Sequence, residues 1–392
     1  MAKRMNGRKD PMTGLIVALV VFVLLAVGVW VASGMLRDYR AGVLKDEQDA
    51  VVEYNNELWA GYEADRADYM DLISSNGGNL AWPTPAAEGW DVIDLTTYPL
   101  EAPGTVTISR SDAMFGGLLL VNEWHSRPAD FDETAMVGIS TYARDAGLDS
   151  FWQDATCKLH PAAIDALIAM LSDAKALGYD HYVVKKGYNF RSYAEQEELF
   201  NKELSDQRSS RPNLSETELV ARAKKNVNYP GTSEFNSGLS FCLYLYEGEE
   251  GEAKQYYKET PFYDTPDGQW LLENAWRYGF VFRFPTAGYP TADTADKAYK
   301  TGMNLSLNCY RYVGRGHAAV MHHLNLCLEE YIEYLIDHPH IAVFENGVKR
   351  YEITYQYVGD DVPTFTVNTN NLTNNYTMTL DNMGGVITVY EY

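Results

Sequence analysis

The sequence predicts a protein that mixes helices and strands through its main body and ends in an all-β segment. Three observations predict this. Apolar residues recur at helical spacing in several segments between 160 and 336, short apolar or β-branched runs lie between them, and from residue 341 onward apolar and polar residues alternate around turn dipeptides such as NG and GD.

Residues 37–74 contain no Pro and only two Gly, with Val43, Val51, Val52, Leu58, Tyr62 and Tyr69 at loosely helical spacing, which predicts a helical stalk. The SSNGG run at 74–78 stops it, and an irregular, partly extended stretch follows through VTISR at 106–110. HPAAIDALIAMLSDAKALGY at 160–179 predicts a helix with Pro161 in its first turn and Gly178 at its C-terminal end. HYVVKKGY at 181–188 predicts a strand, and SYAEQEELFNKEL at 192–204 another helix. SETELVARAKKN at 215–226 opens with a Ser-x-x-Glu capping pattern, Ser215 and Glu218 being the reciprocal partners. LSFCLYLY at 239–246 predicts a buried strand, WLLENAWRYGF at 270–280 a helix, and HAAVMHHLNLCLEEYIEYLI at 317–336 one long amphipathic helix. The alternating tail predicts a small β module over 338–392.

With 392 residues, 46% of them hydrophobic, the chain can bury a sizeable core, so wholesale disorder is excluded. Its 32 basic against 54 acidic residues give a net charge of −22, a field that repels phosphate backbones and excludes nucleic acid as a partner. From Pro11 through Leu36 there is no charged residue, and 14–36 forms an apolar run of the length that crosses a bilayer. Lys3, Arg4, Arg8 and Lys9 precede it, so the positive-inside rule predicts a cytoplasmic N-terminus, one crossing through a membrane helix, and everything after Arg37 outside the cell membrane. The competing reading is a cleaved signal peptide, whose apolar core runs about 7–15 residues. Beyond residue 36 the chain holds 28 basic against 53 acidic residues, or −25, which argues against a second membrane contact.

Four blocks carry a resemblance. They are LLLVNEWHSRPADF at 118–131, KGYNFRSYAEQEELF at 186–200, PGTSEFNSGLSFCL at 230–243, and WLLENAWRYGFVFRFP at 270–285 with TGMNLSLNCYRYVG at 301–314. Read in order, they resemble the VanY-type zinc D-alanyl-D-alanine carboxypeptidases, with their S-G-Y-R-S-Y-x-x-Q, P-G-x-S-E-H-x-x-G-L-A-x-D and E-P-W-H-x-R-Y-V-G patterns. The resemblance covers roughly 115–335 and divides the chain into a flank and anchor (1–36), a stalk and linker (37–114), a VanY-like domain (115–337) and the β module (338–392). It implies an α+β fold, a small mainly antiparallel sheet flanked by helices, with the metal site on one sheet face and 118–131 as an entry strand.

The departures fall on the chemistry. The resemblance implies zinc ligands at positions that here are Phe235, Cys242 and Cys309, and a general base where Ser306 stands. Zinc needs lone pairs from three protein ligands, and a phenyl ring has none to give. A serine hydroxyl cannot take a proton at neutral pH as a carboxylate does. No metal and no catalytic residue are therefore expected, although the family implies zinc. Cys242 and Cys309 occupy positions that converge on one metal, so the resemblance implies that they can meet in a disulfide or remain two buried thiols. Cys157 and Cys327 are partners only by elimination, and His323 with Cys327, four residues apart, reads either as a ligand pair or as core.

Arg191, Ser192, Tyr193 and Gln196, with Ser233, are the retained positions that the resemblance assigns to the substrate. Arg191 reads either as the fork that holds a peptide carboxylate or as half of a structural salt bridge. The sequons at Asn213, Asn304, Asn371 and Asn375 mean little if the chain is bacterial, as the resemblance implies. The expected function is that of a membrane-anchored, extracytoplasmic, non-catalytic binder of peptidoglycan stem peptides. The alternatives are an active D,D-carboxypeptidase releasing terminal D-Ala, and a structural scaffold with a filled pocket.

Overall fold

The computed structural model describes residues 82–143, 151–249, 252–255, 261–359 and 362–392, together with single helical positions at 31, 34, 35, 39, 42, 45, 46 and 53. The chain divides into two compact units, Met1–Tyr54 and Asn55–Tyr392, and the elements below belong to the second. The expected membrane span at 14–36 and the stalk at 37–74 lie outside the described residues apart from those positions. Among the described residues no helix is long and apolar enough to cross a membrane.

In chain order the main elements are β1 (Trp90–Asp94), β2 (Pro103–Ser109), α1 (Pro161–Ala176), β3 (Tyr182–Val184), α2 (Tyr193–Ser210), α3 (Glu216–Asn226), β4 (Ser240–Glu249) and β5 (Glu252–Gln255). They continue with α4 (Pro266–Asn274), β6 (Phe280–Phe282), β7 (Cys309–Tyr312), α5 (Arg315–Leu324), α6 (Leu328–Asp337), β8 (His340–Glu345), β9 (Val348–Tyr357), β10 (Thr364–Asn370), β11 (Tyr376–Leu380) and β12 (Gly385–Glu391).

Two antiparallel sheets result. The first runs β3-β4-β7-β6, with β5 paired to β4, and the second runs β1-β8-β9-β12-β11 beside a separate β2-β10 ribbon. The linker ahead of residue 115 thus supplies β1 and β2 to the partners of the C-terminal strands. The Asn-Gly turn joining β8 to β9 has Asn346 at φ 51° and Gly347 at φ 76°, the pair of positive angles a tight two-residue hairpin needs.

Side-chain alternation on the first sheet decides what faces what. Phe241, Leu243 and Leu245 of β4 point into a core with Leu167 and Leu171 of α1, Leu271 of α4 and Tyr310 of β7. Ser240, Cys242, Tyr244 and Tyr246 occupy the alternate positions. A second core packs α5 and α6 (Val320, Met321, Ile332, Leu335) on β8, β9 and β12 (Ile341, Ile353, Ile387).

Capping is legible in both helices of the α2–α3 pair. Ser215 and Glu218 form the expected reciprocal box, and Ser192 with Glu195 forms a second. Three local expectations are corrected. The long helix at 317–336 is two helices, because Asn325 turns left-handed at φ 52° and ends α5, after which Cys327 caps α6. His323 and Cys327 therefore do not share one helical face, and His323 stacks on Trp90, ring centroids 4.9 Å apart. Residues 118–131 form no strand. Arg311 takes the Gly117 and Leu119 carbonyls, each at 2.8 Å, and Thr379 Oγ1 accepts from the Leu118 amide, so these backbone groups are satisfied without a ladder.

Candidate functional site

Phe235, Cys242 and Cys309, the positions at which the resemblance implies ligands, converge on one face of the first sheet. Cys242 and Cys309 are direct partners in the β4–β7 ladder, and the next pair on that face is Ser240 with Arg311. Phe235 arrives from a short 3-10 turn, Glu234–Ser237, which Gly238 ends in the left-handed region at φ 70°. A side chain at Gly238 would collide with Met136, since a Cβ there would lie 2.1 Å from its sulfur. The turn is thereby pinned, and with it the ring.

Phe235, Cys242, Cys309 and Phe284 form a buried cluster of their own, closed by Tyr188, Met303 and Leu307. Burial, reinforced by a hydrogen bond with Cys242, holds the Cys309 thiol well above its ordinary value. All four cysteines are free, which corrects the expected Cys242–Cys309 bridge and leaves Cys157 and Cys327 unpaired with each other. The two positions do converge, but disulfide formation runs through a thiolate, and burial keeps Cys309 protonated.

This donor set does not fit zinc. It offers a ring without lone pairs and two buried thiols, of which Cys309 is held protonated by burial and a hydrogen bond with Cys242. Among the described residues no group of three or more His, Cys, Asp or Glu side chains is arranged to hold a metal. Trp124-His125 supplies no substitute: His125 Nδ1 lies 2.9 Å from Asn122 Oδ1, and burial lowers its pKa to about 4.

Behind the cluster lies a buried ionic network that sequence reasoning did not assign. Arg283 Nε donates to Glu234 at 2.7 Å, and its two terminal nitrogens fork onto Glu329 at 2.9 and 2.7 Å. Arg311 and Ser240 both donate to Glu234 Oε1 at 2.5 Å, and Asn122 Nδ2 reaches Glu329 at 3.1 Å. Burial opposes the charge on Glu234, but the two guanidiniums outweigh it and hold the carboxyl below its ordinary value. The available signal was that Glu234 and Arg311 are each the one charged residue of their motif segment, 230–243 and 301–314.

The expected substrate residues are used internally. Arg191 donates to Gln196 at 2.6 Å and to the Gly187 carbonyl at 2.5 Å, and its guanidinium carbon stands 5.4 Å from the Phe235 ring centroid. Gln196 is fully buried and passes the contact on to the Asn228 carbonyl at 2.7 Å. Ser192 caps α2, Ser233 is buried at the start of the 3-10 turn, and Tyr193 lies exposed beneath Arg127, 5.8 Å from ring centroid to guanidinium carbon.

An open cleft of about 440 Å³ begins at Cys242 and extends along the face of β4 past Tyr244 and Tyr246. Gln153, Lys185, Tyr188, Ser306 and Asn308 complete its polar and aromatic wall, so Ser306 reaches the cleft while Arg191, Ser192, Tyr193, Gln196 and Ser233 do not line it.

The comparisons with known proteins agree with this frame. The VanY family model, described as D-alanyl-D-alanine carboxypeptidase, matches residues 156–299. A D-alanyl-D-alanine carboxypeptidase of Enterococcus faecium is 30% identical over 250 residues, spanning 64% of this chain and 68% of its own length. The chain belongs to the VanY D-alanyl-D-alanine carboxypeptidase family. The putative carboxypeptidase YodJ of Bacillus subtilis is 28% identical over 55% of this chain and 67% of its own. The D,D-dipeptidase VanXYg, solved with a D-Ala-D-Ala phosphinate analogue, superposes at a TM-score of 0.51 with 21% identity, covering 74% of this chain and 99% of that one, and shows the shared fold.

Proposed function

We propose that this protein is a non-catalytic member of the VanY family that binds peptidoglycan stem peptides outside the cell, held to the membrane by the apolar stretch at 14–36. One observation carries the non-catalytic reading: Phe235, Cys242 and Cys309 pack into a buried cluster where a metallopeptidase needs three donors and an open position for water. Ser306 adds no base, since a hydroxyl has no useful proton affinity at neutral pH. The open cleft beside the cluster supports retained binding. The apolar, charge-free run from Pro11 through Leu36 with its basic flank supports the anchor.

The test is D-Ala release from a pentapeptide stem by the full chain, with and without added zinc, beside a binding titration with the same peptide. Binding without release is the expected result, and zinc-dependent release overturns the reading. Membrane fractionation with protease protection tests the anchor, which fails if the chain stays in the soluble fraction.

A further inference from the structure

The cleft lies on the same strand face as the filled metal position, one step further along β4. Its described lining contains one lysine and no Asp or Glu, in a chain with 54 acidic and 32 basic residues. Among the described residues, this solvent-facing depression on an acidic chain is walled without a carboxylate.

Lys185 supplies the charge. Its side chain is exposed, its ammonium nitrogen lies 4.1 Å from the Tyr188 ring centroid, and it has no ion pair with another described residue. The backbone beneath it is fixed. Its amide donates to the Cys242 carbonyl at 3.0 Å, and its own carbonyl accepts from the Tyr188 amide at 3.2 Å and from Asn189 Nδ2 at 3.0 Å. The ammonium is thus rooted one backbone hydrogen bond from the strand position where the family pattern has a metal ligand.

The neutral groups around it present donors. Asn308 Oδ1 is occupied by the Tyr289 hydroxyl, which turns the Nδ2 donors toward other acceptors. Gln153 Oε1 accepts from the Lys186 amide at 2.9 Å, which leaves its Nε2 donors in the same position. One positive charge and two oriented amides ask for a ligand rich in acceptors and negatively charged. Tyr244 and Tyr246, ring centroids 5.5 Å apart, offer apolar faces beside them.

We propose that Lys185 is the carboxylate anchor of this cleft, with the amides of Asn308 and Gln153 as accessory donors, and that the ligand is a peptide with a free C-terminal carboxylate. The inference rests on the stem-peptide reading and deepens it. Arg191 does not take this role, because it does not line the cleft and two of its N–H groups are given to Gln196 and the Gly187 carbonyl.

The experiment is a ligand-observed NMR titration of the full chain with diacetyl-L-Lys-D-Ala-D-Ala, which carries a single carboxylate, and with its C-terminal amide. Both peptides are titrated against the wild type and Lys185→Gln, an exposed position whose melting temperature is expected to stay unchanged. Amidation should weaken binding to the wild type about tenfold or more. Lys185→Gln should weaken the acid peptide by the same factor and leave the amide peptide unaffected, so that the two losses do not add. Equal binding of the acid to wild type and variant overturns the Lys185 assignment while leaving the peptide reading in place. Failure of the acid peptide to bind the wild type overturns both.

Discussion

The guanidinium of Arg191 stands over the ring of Phe235, 5.4 Å from its centroid. A charged residue that the resemblance assigns to the substrate thus rests on the ring at a position where the resemblance implies a ligand. The contact is a cation–π packing in which the ring supplies a partner that a metal-bound imidazole would not. Two of the guanidinium's N–H groups serve Gln196 and the Gly187 carbonyl, which ties the start of α2 to the loop before it.

Zinc content is the first expectation. The purified full chain, dialysed against a weak chelator, should retain no stoichiometric zinc by elemental analysis, whereas the triple variant Phe235→His, Cys242→Asp, Cys309→His should take it up, because the ladder already places positions 242 and 309 opposite each other. One tightly held zinc per wild-type chain would refute the reading of the cluster.

Thiol chemistry follows from burial. Denatured but unreduced protein, prepared without oxidant, should show four alkylatable thiols, and the native protein should react slowly at Cys309, whose burial holds it protonated. Mass spectrometry after alkylation checks both points. A mapped Cys242–Cys309 bridge would contradict them.

The ionic network should be costly to break. Glu234→Ala leaves Arg283 and Arg311, both buried, without a shared carboxylate, and breaking such a pair costs about 3–5 kcal/mol. Urea denaturation should report a loss of that order. A change below about 1 kcal/mol would mean that water compensates the two guanidiniums.

Acid should destabilise the fold before any carboxylate titrates. Burial lowers the pKa of His317 to about 3, and its Nε2 has no partner while Nδ1 lies 2.8 Å from the Tyr331 hydroxyl. The unfolded chain takes up the proton below about pH 6.5 and the folded chain resists until about 3, so stability is full above 6.5 and falls as pH drops through that window. At pH 5 the difference from this residue should be about 2 kcal/mol, and His317→Asn should flatten the dependence. Identical slopes in the two proteins, measured by urea unfolding from pH 7.5 to 5, would remove His317 as the cause.

What the amino-acid order determined by itself was local and chemical. The capping box at Ser215, Pro161 at the start of α1, the Asn-Gly turn at 346–347 and the alternation along β4 all follow from short-range sterics, hydrogen bonding and a period of two. The sequence also carries the ordered blocks of the resemblance and, at Phe235, Cys242 and Cys309, side chains other than the ligands that the resemblance implies. Tertiary structure decided the rest, because each remaining question depends on residues far apart in the chain. It split the helix at Asn325, gave Arg311 the carbonyls at Gly117 and Leu119, and bound Glu234, Arg283 and Glu329 into one buried network. It also turned Arg191 toward Gln196 and the Gly187 carbonyl and placed Lys185 in the wall of an open cleft. Whether a charged side chain is consumed or available depends on what long-range packing brings within about 3 Å of it, and no spacing along the chain encodes that distance.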